Sequence, residues 1–236
     1  MPSPPVMLVT FAAAYLIGAI PFGLIIGRVR GVDIRHVGSG NIGATNVARV
    51  LGRPLGVCCF VLDLLKGLLP TALAPKIWVT IGPSLAHGTP GPGPSLYLAW
   101  MGVAAAAILG HMCPIYLRFR GGKGVATSLG AVVGFWPYFT GPGLAAFALW
   151  VLVAAAFRYV SLASIVATLA FPVLYAATAL LRGWDPFGTQ APLLIFAVVI
   201  ALLVVYRHRS NIQRLLAGQE HRIGGRSSRG SGQTEP

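Results

Sequence analysis

The chain of 236 residues is 56% hydrophobic and only 10% charged, with a mean hydropathy of +0.75. A soluble domain carries about 25% charge, so a water-soluble globular protein is excluded and the sequence reads as an integral membrane protein. Eighteen Lys and Arg against five Asp and Glu leave a formal charge of +13, which in such a protein is first a topology signal and only second a sign of anionic partners.

A helix needs about 20 mostly apolar residues to cross a bilayer. Windows of that kind fall near Val6 to Gly27, Leu55 to Leu73, Leu96 to Tyr116, Val125 to Tyr138, Gly143 to Phe157, Ser164 to Leu181 and Ala191 to Tyr206. They predict an all-α membrane protein with about seven transmembrane helices. No Lys or Arg precedes the first window, which is longer than a signal-peptide core and ends without a clear cleavage site, so it is expected to be retained. The fourth and fifth windows are short and separated only by Phe139-Thr140-Gly141-Pro142, the pattern of a tight hairpin or of tilted, partly re-entrant helices.

Sorting alternate loops by basic residues places Arg28, Arg30, Arg35, Arg49, Arg53, Arg118, Arg120, Lys123 and Arg158 on the side of the Arg-rich C-terminus. The opposite set holds only Lys76 and Arg182. The asymmetry predicts an N-terminus outside and a C-terminus in the cytoplasm. Residues 1–223 are expected to form one membrane-embedded domain, with Asn211 to Ala217 as a basic amphipathic segment and 224–236 as a disordered cytoplasmic tail. Cys58, Cys59 and Cys113 are too few and too badly spaced for a disulfide framework or a metal cluster.

Two glycine-laced polar runs interrupt this apolar pattern on the expected cytoplasmic side. The first is Gly38-Ser39-Gly40-Asn41-Ile42-Gly43-Ala44-Thr45-Asn46, with Arg49 one turn later. A capped interhelical turn is the plainer reading, but so many polar groups beside an arginine exceed what a turn needs and point to an oxyanion-binding loop. The second joins Gly110-His111-Met112-Cys113-Pro114 to Phe119-Arg120-Gly121-Gly122-Lys123-Gly124-Val125-Ala126-Thr127. A lysine at a helix start opposes the helix dipole, which makes sense if an anion sits beside it on the free amides. The residue after Lys123 is glycine and no strand precedes it, so a nucleotide-hydrolysing P-loop is excluded.

Further along, Ser161 and Ser164 stand one turn apart, with Ser164 expected as a helix cap, and His208 and Asn211 share one helix face at i and i+3. Asp63 and Lys66, also at i and i+3, can neutralise each other inside the second span, and serve structure or function equally well on this reading.

These runs, together with Ser161-Leu162-Ala163-Ser164-Ile165 and His208-Arg209-Ser210-Asn211-Ile212, closely resemble the bacterial acyl-phosphate glycerol-3-phosphate acyltransferases, the PlsY family. The resemblance covers nearly the whole chain, in the family's motif order. It implies transfer of a fatty acyl group from acyl phosphate to the 1-hydroxyl of glycerol 3-phosphate, giving lysophosphatidic acid and inorganic phosphate in phospholipid biosynthesis. It implies catalytic roles for Ser39, Lys123, Ser161, His111 and His208. Substrate contacts are implied for Gly38, Gly40, Asn41, Gly43, Thr45, Asn46, Arg49, Gly121, Gly122, Gly124, Thr127 and Asn211. The expected partners are the two phosphorylated substrates and membrane lipids, with no nucleic acid, metal or cofactor, and the expected form is a monomer in the bacterial inner membrane with its active site facing the cytoplasm.

Outside the tail only Asp33 and Glu220 are acidic on that face, and neither evidently orients a histidine, so the sequence favours direct attack by the glycerol hydroxyl over an acyl-serine. His111, His208 and the donor phosphate remain alternatives as proton acceptor. An acyl-CoA-dependent transferase would show His, four residues, then Asp, and none occurs. A transporter of an anionic metabolite is the rival reading, and would be expected to place polar groups at mid-membrane and to carry an internal repeat.

Overall fold

The computed structural model describes residues 2–81 and 94–224, and the described residues are helical throughout apart from turns and loops. Most of the expected outer loop and nearly all of the expected tail lie outside them. The first apolar window is two helices, α1 (Pro4–Ala19) and α2 (Phe22–Val29), broken at Pro21, which has no N–H to continue the ladder. After a polar loop come α3 (Ala44–Leu51) and the long α4 (Arg53–Ile81). They are followed by α5 (Pro94–Met112), α6 (Val125–Gly134), α7 (Thr140–Phe157), α8 (Val160–Leu181), α9 (Ala191–Arg207) and α10 (Arg209–Leu216).

Five stretches are long and apolar enough to cross a bilayer, namely Pro4–Val29, Arg53–Thr80, Ser95–Leu117, Thr140–Phe157 and Val160–Leu181. Helices α9 and α10, bent 58° apart, make a sixth when taken together. The expected count of about seven therefore falls short at the fourth window. There α6 has 10 residues, a rise of ~15 Å against a hydrocarbon core of ~30 Å. The helix ends where Trp136 precedes Pro137, because proline disfavours the helical conformation of the residue before it and cannot donate to the ladder.

Helix α4 is the hub, packing against α1, α2, α3, α5 and α6, while α7, α8 and α9 pack in succession beside it. Lipid supplies no hydrophobic drive between helices, so close backbone approach through small residues matters more. Between α4 and α6 it comes from Gly67 and Gly130, where an added Cβ would run into the carbonyls of Thr127 and Leu64.

Aromatic contacts fix the far end of α6. Phe135 stacks on Trp100 with centroids 3.9 Å apart, and Tyr97 donates its hydroxyl to that of Tyr138 at 2.7 Å. Pro75 lies inside α4 and leaves the carbonyl of Thr71 without its helical donor. The Trp100 indole fills the gap at 2.7 Å.

Candidate active site

The first polar loop hangs between α2 and α3 on a buried cluster of Leu24, Ile34, Ile42, Val47 and Cys59. Asn46 organises it. Its amide nitrogen donates to the carbonyls of Ile34 (2.9 Å) and Val37 (3.1 Å), and its oxygen accepts the Ser39 N–H at 2.8 Å. Gly38 lies in the left-handed region at φ 66°, and a Cβ there would strike the Asn46 amide oxygen. Asn41 accepts the Gly43 N–H at 2.9 Å, closing a second small turn in which Gly40 is also left-handed. The structure thus commits Asn46 and Asn41 to shaping the loop, and leaves Ser39, Thr45 and Arg49 exposed. Helix α3 starts after Gly43 with no side-chain cap.

The second loop leaves α5 at Met112, makes a short 3-10 turn at Ile115–Leu117, and doubles back through Arg118 and Phe119, both at positive φ. Its return is pinned by Gly121 N–H to the Met112 carbonyl (3.2 Å) and Gly122 N–H to the His111 carbonyl (3.1 Å). The Arg207 guanidinium clamps the same turn, donating to the carbonyls of Gly122 (2.8 Å), Gly121 (3.1 Å) and Met112 (3.3 Å). Gly122 roofs the buried His111 ring, because a Cβ would strike its Nε2. Gly124 is the left-handed residue from which α6 starts, so the amides of its first turn have no acceptors within the helix. Thr127 is fully buried behind the loop, against α4.

The C-terminal segment completes the site. At the bend between α9 and α10 the buried His208 places Nδ1 2.8 Å from the Val204 carbonyl oxygen. Asn211 accepts a hydrogen bond from Lys123 and donates to Glu220 Oε1 at 2.6 Å. Glu220 also receives Ser161 Oγ (2.9 Å) and Arg214 Nε (2.7 Å). The strand of chain carrying it is fastened to the start of α8, where Ile223 and Arg158 exchange backbone and guanidinium bonds and Arg222 reaches the Tyr159 hydroxyl. Ser164 is one turn inside α8, bonded to the Val160 carbonyl and to the Trp150 indole, and does not cap the helix as expected. Glu220 was missed as a site residue. The available signal was a lone carboxylate in an otherwise basic terminal segment.

Carboxylates are accordingly better placed than the sequence suggests. Glu220 holds a serine, an asparagine and an arginine rather than a histidine, and the carboxylate nearest His111 is Asp63 of α4, 3.6 Å from Nδ1. Asp33 pairs locally with Arg35.

Burial pushes the Lys123 ammonium down to about 8; Glu220 opposes that shift, while Arg214, Arg49 and Arg207 add to it. Burial by itself would raise the Glu220 carboxyl, but its bonds from Asn211, Ser161 and Arg214 outweigh it and hold the group below its ordinary value, hence ionised. Lys123 and the three arginines that act on it, set against the single Glu220, leave an excess positive charge suited to a phosphate.

Beside this cluster an apolar groove runs between α6, α7, α8 and α9, past Leu129, Val132, Trp150 and Phe171. Its near end is lined by Val125, Ser164 and Val204, each within a turn or so of Lys123, Ser161 and His208 respectively.

Residues 8–218 match the family described as glycerol-3-phosphate acyltransferase. The chain belongs to this family. Similar members include the glycerol-3-phosphate acyltransferase of Aquifex aeolicus, 44% identical over 89% of this chain and 95% of that one, and that of Geobacter sulfurreducens, 43% identical over 92% and 97%. Among solved structures, the chain is similar to PlsY (YgiH), described as an integral membrane glycerol 3-phosphate acyltransferase. Its glycerol 3-phosphate form is 40% identical with a TM-score of 0.76, covering 92% of this chain and 96% of that chain. Its lysophosphatidic acid form is 39% identical with a TM-score of 0.73, covering 92% and 94%. The family expected from the polar runs, and the reading of the chain as a membrane acyltransferase, are borne out.

In this family member the free Lys123 ammonium is charged below about pH 8 and loses its proton above it. Apparent affinity for a phosphorylated substrate should therefore weaken as pH rises through that value, giving a descending alkaline limb in kcat/KM. Lys123→Ala should remove about 2–4 kcal/mol of transition-state stabilisation with the fold intact. Steady-state rates across pH, with circular dichroism as the fold control, check both, and near-normal turnover in the folded variant would reduce the loop to a structural turn.

Proposed function

We propose that the protein moves a fatty acyl group from acyl phosphate to the 1-hydroxyl of glycerol 3-phosphate, releasing lysophosphatidic acid and inorganic phosphate. The observation that carries this reading is the abutment of a multi-cation cluster on the mouth of an apolar groove. An acyl phosphate has a long hydrocarbon joined to a phosphoryl head, and the groove and the Lys123 loop offer one environment for each. Lys123 and the unpaired amides at the start of α6 are assigned to the donor phosphate, Arg49 to glycerol 3-phosphate, and the hydroxyls of Ser39 and Ser161 to orienting the substrates.

The glycerol oxygen attacks the acyl carbon, the bond from that carbon to the phosphate oxygen breaks, and the phosphate departs with the electron pair. The hydroxyl proton goes to that phosphate. The His208 and His111 rings are both buried, His111 beneath Gly122, whereas the donor phosphate is bonded to the acyl carbon under attack, which supports the phosphate as the acceptor. The mixed anhydride is activated enough that no acyl-serine is required.

The same reading sets the cationic end of the bundle in the cytoplasm of a bacterial cell, the N-terminus outside, and α6 as a seventh, partial crossing, in a protein that acts as a monomer. The basic-residue asymmetry between loops supports that orientation. So does the meeting of the segments of the second glycine run, the Ser161 run and the His208 run at one end, through Arg207 to Gly122, Lys123 to Asn211 and Glu220 to Ser161.

Purified protein given palmitoyl phosphate and glycerol 3-phosphate should form lysophosphatidate without coenzyme A and in the presence of a chelator. Rapid-quench mass spectrometry of the intact protein with acyl phosphate alone should show no acyl adduct. An adduct on Ser39 or Ser161 that turns over with glycerol 3-phosphate would replace direct transfer by a two-step route.

Gly143 lines the groove where a Cβ would press on Val132. Gly143→Leu should cut turnover of long-chain donors by roughly tenfold or more while sparing short ones, and an unchanged chain-length profile would place the acyl chain elsewhere.

In a background lacking the native cysteines, Thr189→Cys should react with an impermeant thiol reagent on intact cells and Gln213→Cys should not. The reverse pattern would invert the topology.

A further inference from the structure

Two stretches of backbone leave polar groups inside the helix bundle, and one buried cluster serves both. The first is the break between α1 and α2, where the Ile20 carbonyl sits beside Pro21. Lys66 of α4 donates to that carbonyl at 2.8 Å and to Asp63 Oδ1 at 2.7 Å, and both side chains are at most 3% exposed. The second stretch is the turn at Gly121 and Gly122, which rests on His111. The Nδ1 of that ring has no hydrogen-bond partner among the described residues and faces Asp63 Oδ1 at 3.6 Å. The other Asp63 oxygen has the Cys59 thiol at 3.6 Å, so the carboxylate retains capacity for the ring.

A pair kept only to cancel its own charge would need nothing beyond the i, i+3 spacing. This pair reaches past itself in two directions. From Ile20 the chain continues through α2, whose Gly23 packs on the Ile42 carbonyl and whose Leu24 lies in the cluster beneath the first polar loop. From His111 it continues straight into the second. A buried ion pair is often no more stabilising than a well-packed apolar substitute, so stability alone gives a weak reason for one here.

We infer that Asp63 and Lys66 are positioning residues that fix the two anion-binding loops relative to each other, Lys66 through the α1–α2 break and Asp63 through His111. They hold the donor-phosphate loop and the glycerol-3-phosphate loop in register for transfer. The inference rests on the acyltransferase reading of those loops.

The test is the double substitution Asp63→Asn with Lys66→Met, which strands no charge. Its unfolding temperature in detergent should stay near the parent's. Its kcat per folded molecule should fall roughly 10- to 100-fold, the scale expected when reacting groups are displaced by about 1 Å, while the KM values for palmitoyl phosphate and glycerol 3-phosphate change much less. Asp63→Asn with Lys66→Gln, which keeps a donor for the Ile20 carbonyl, should recover part of the lost kcat.

A purely structural pair would change the amount of folded protein and leave kcat per folded molecule alone. Parental kcat in either folded double variant overturns the inference, and so does failure of both to fold, because the pair would then serve the fold itself. Absence of lysophosphatidate formation by the parent is a different outcome, and sinks the reading of the site instead.

Discussion

Backbone polar groups within a bilayer have no water to turn to, so each interruption of a helix must be closed by protein. This chain interrupts its helices at both ends of the bundle, and a side chain answers several of the gaps. Lys66 takes the Ile20 carbonyl, Trp100 takes that of Thr71, Thr140 takes that of Val133, and Arg207 takes three carbonyls around the glycine turn. Part of the side-chain hydrogen bonding within the bundle is thus repair of broken backbone. The breaks are useful because they bring irregular loops, with their unpaired amides, to the ends of rigid helices.

Electrostatics at the catalytic end follows from the same economy of acidic residues. Lys123 feels the charges of Arg214, Arg49 and Arg207, Arg49 feels that of Arg214, and Glu220 is the counter-charge to Lys123 and Arg49. A fully neutralised cluster would have little affinity left for phosphate, and one with no carboxylate would repel itself. One glutamate for four cations keeps the cluster together and leaves charge to spare. Glu220 also draws Ser161 of α8 and Asn211 and Arg214 of α10 onto one carboxylate, so the two helices share a single reference point.

The apolar windows, the two glycine loops and the ion pair at Asp63 and Lys66 were legible from local pattern alone, because helix periodicity, glycine spacing and i, i+3 geometry are properties of short segments. The length of α6 was less so. Its window ran to Tyr138, while the helix yields at the Trp136-Pro137 step. What the sequence hid was contact between distant segments: Ser161 with Glu220, 59 residues on, and His111 facing Asp63 from another helix. For the same reason the amide of Asn46 reads as a ligand in sequence and as a loop brace in three dimensions. Nothing local distinguishes a side chain that holds a substrate from one that holds its own backbone.

The fastening of the terminal segment to the start of α8 sets an order in the making of the protein. Lys123 finds Asn211, and Ser161 finds Glu220, only after α9 has been laid down and the chain has turned back on itself. A copy whose synthesis stops within α9 would already hold both glycine loops and the α6, α7 and α8 walls of the groove, but would lack the residues that unite them. Competence arrives only with α10 and Glu220, so a copy that lacks them has no assembled centre with which to acylate anything.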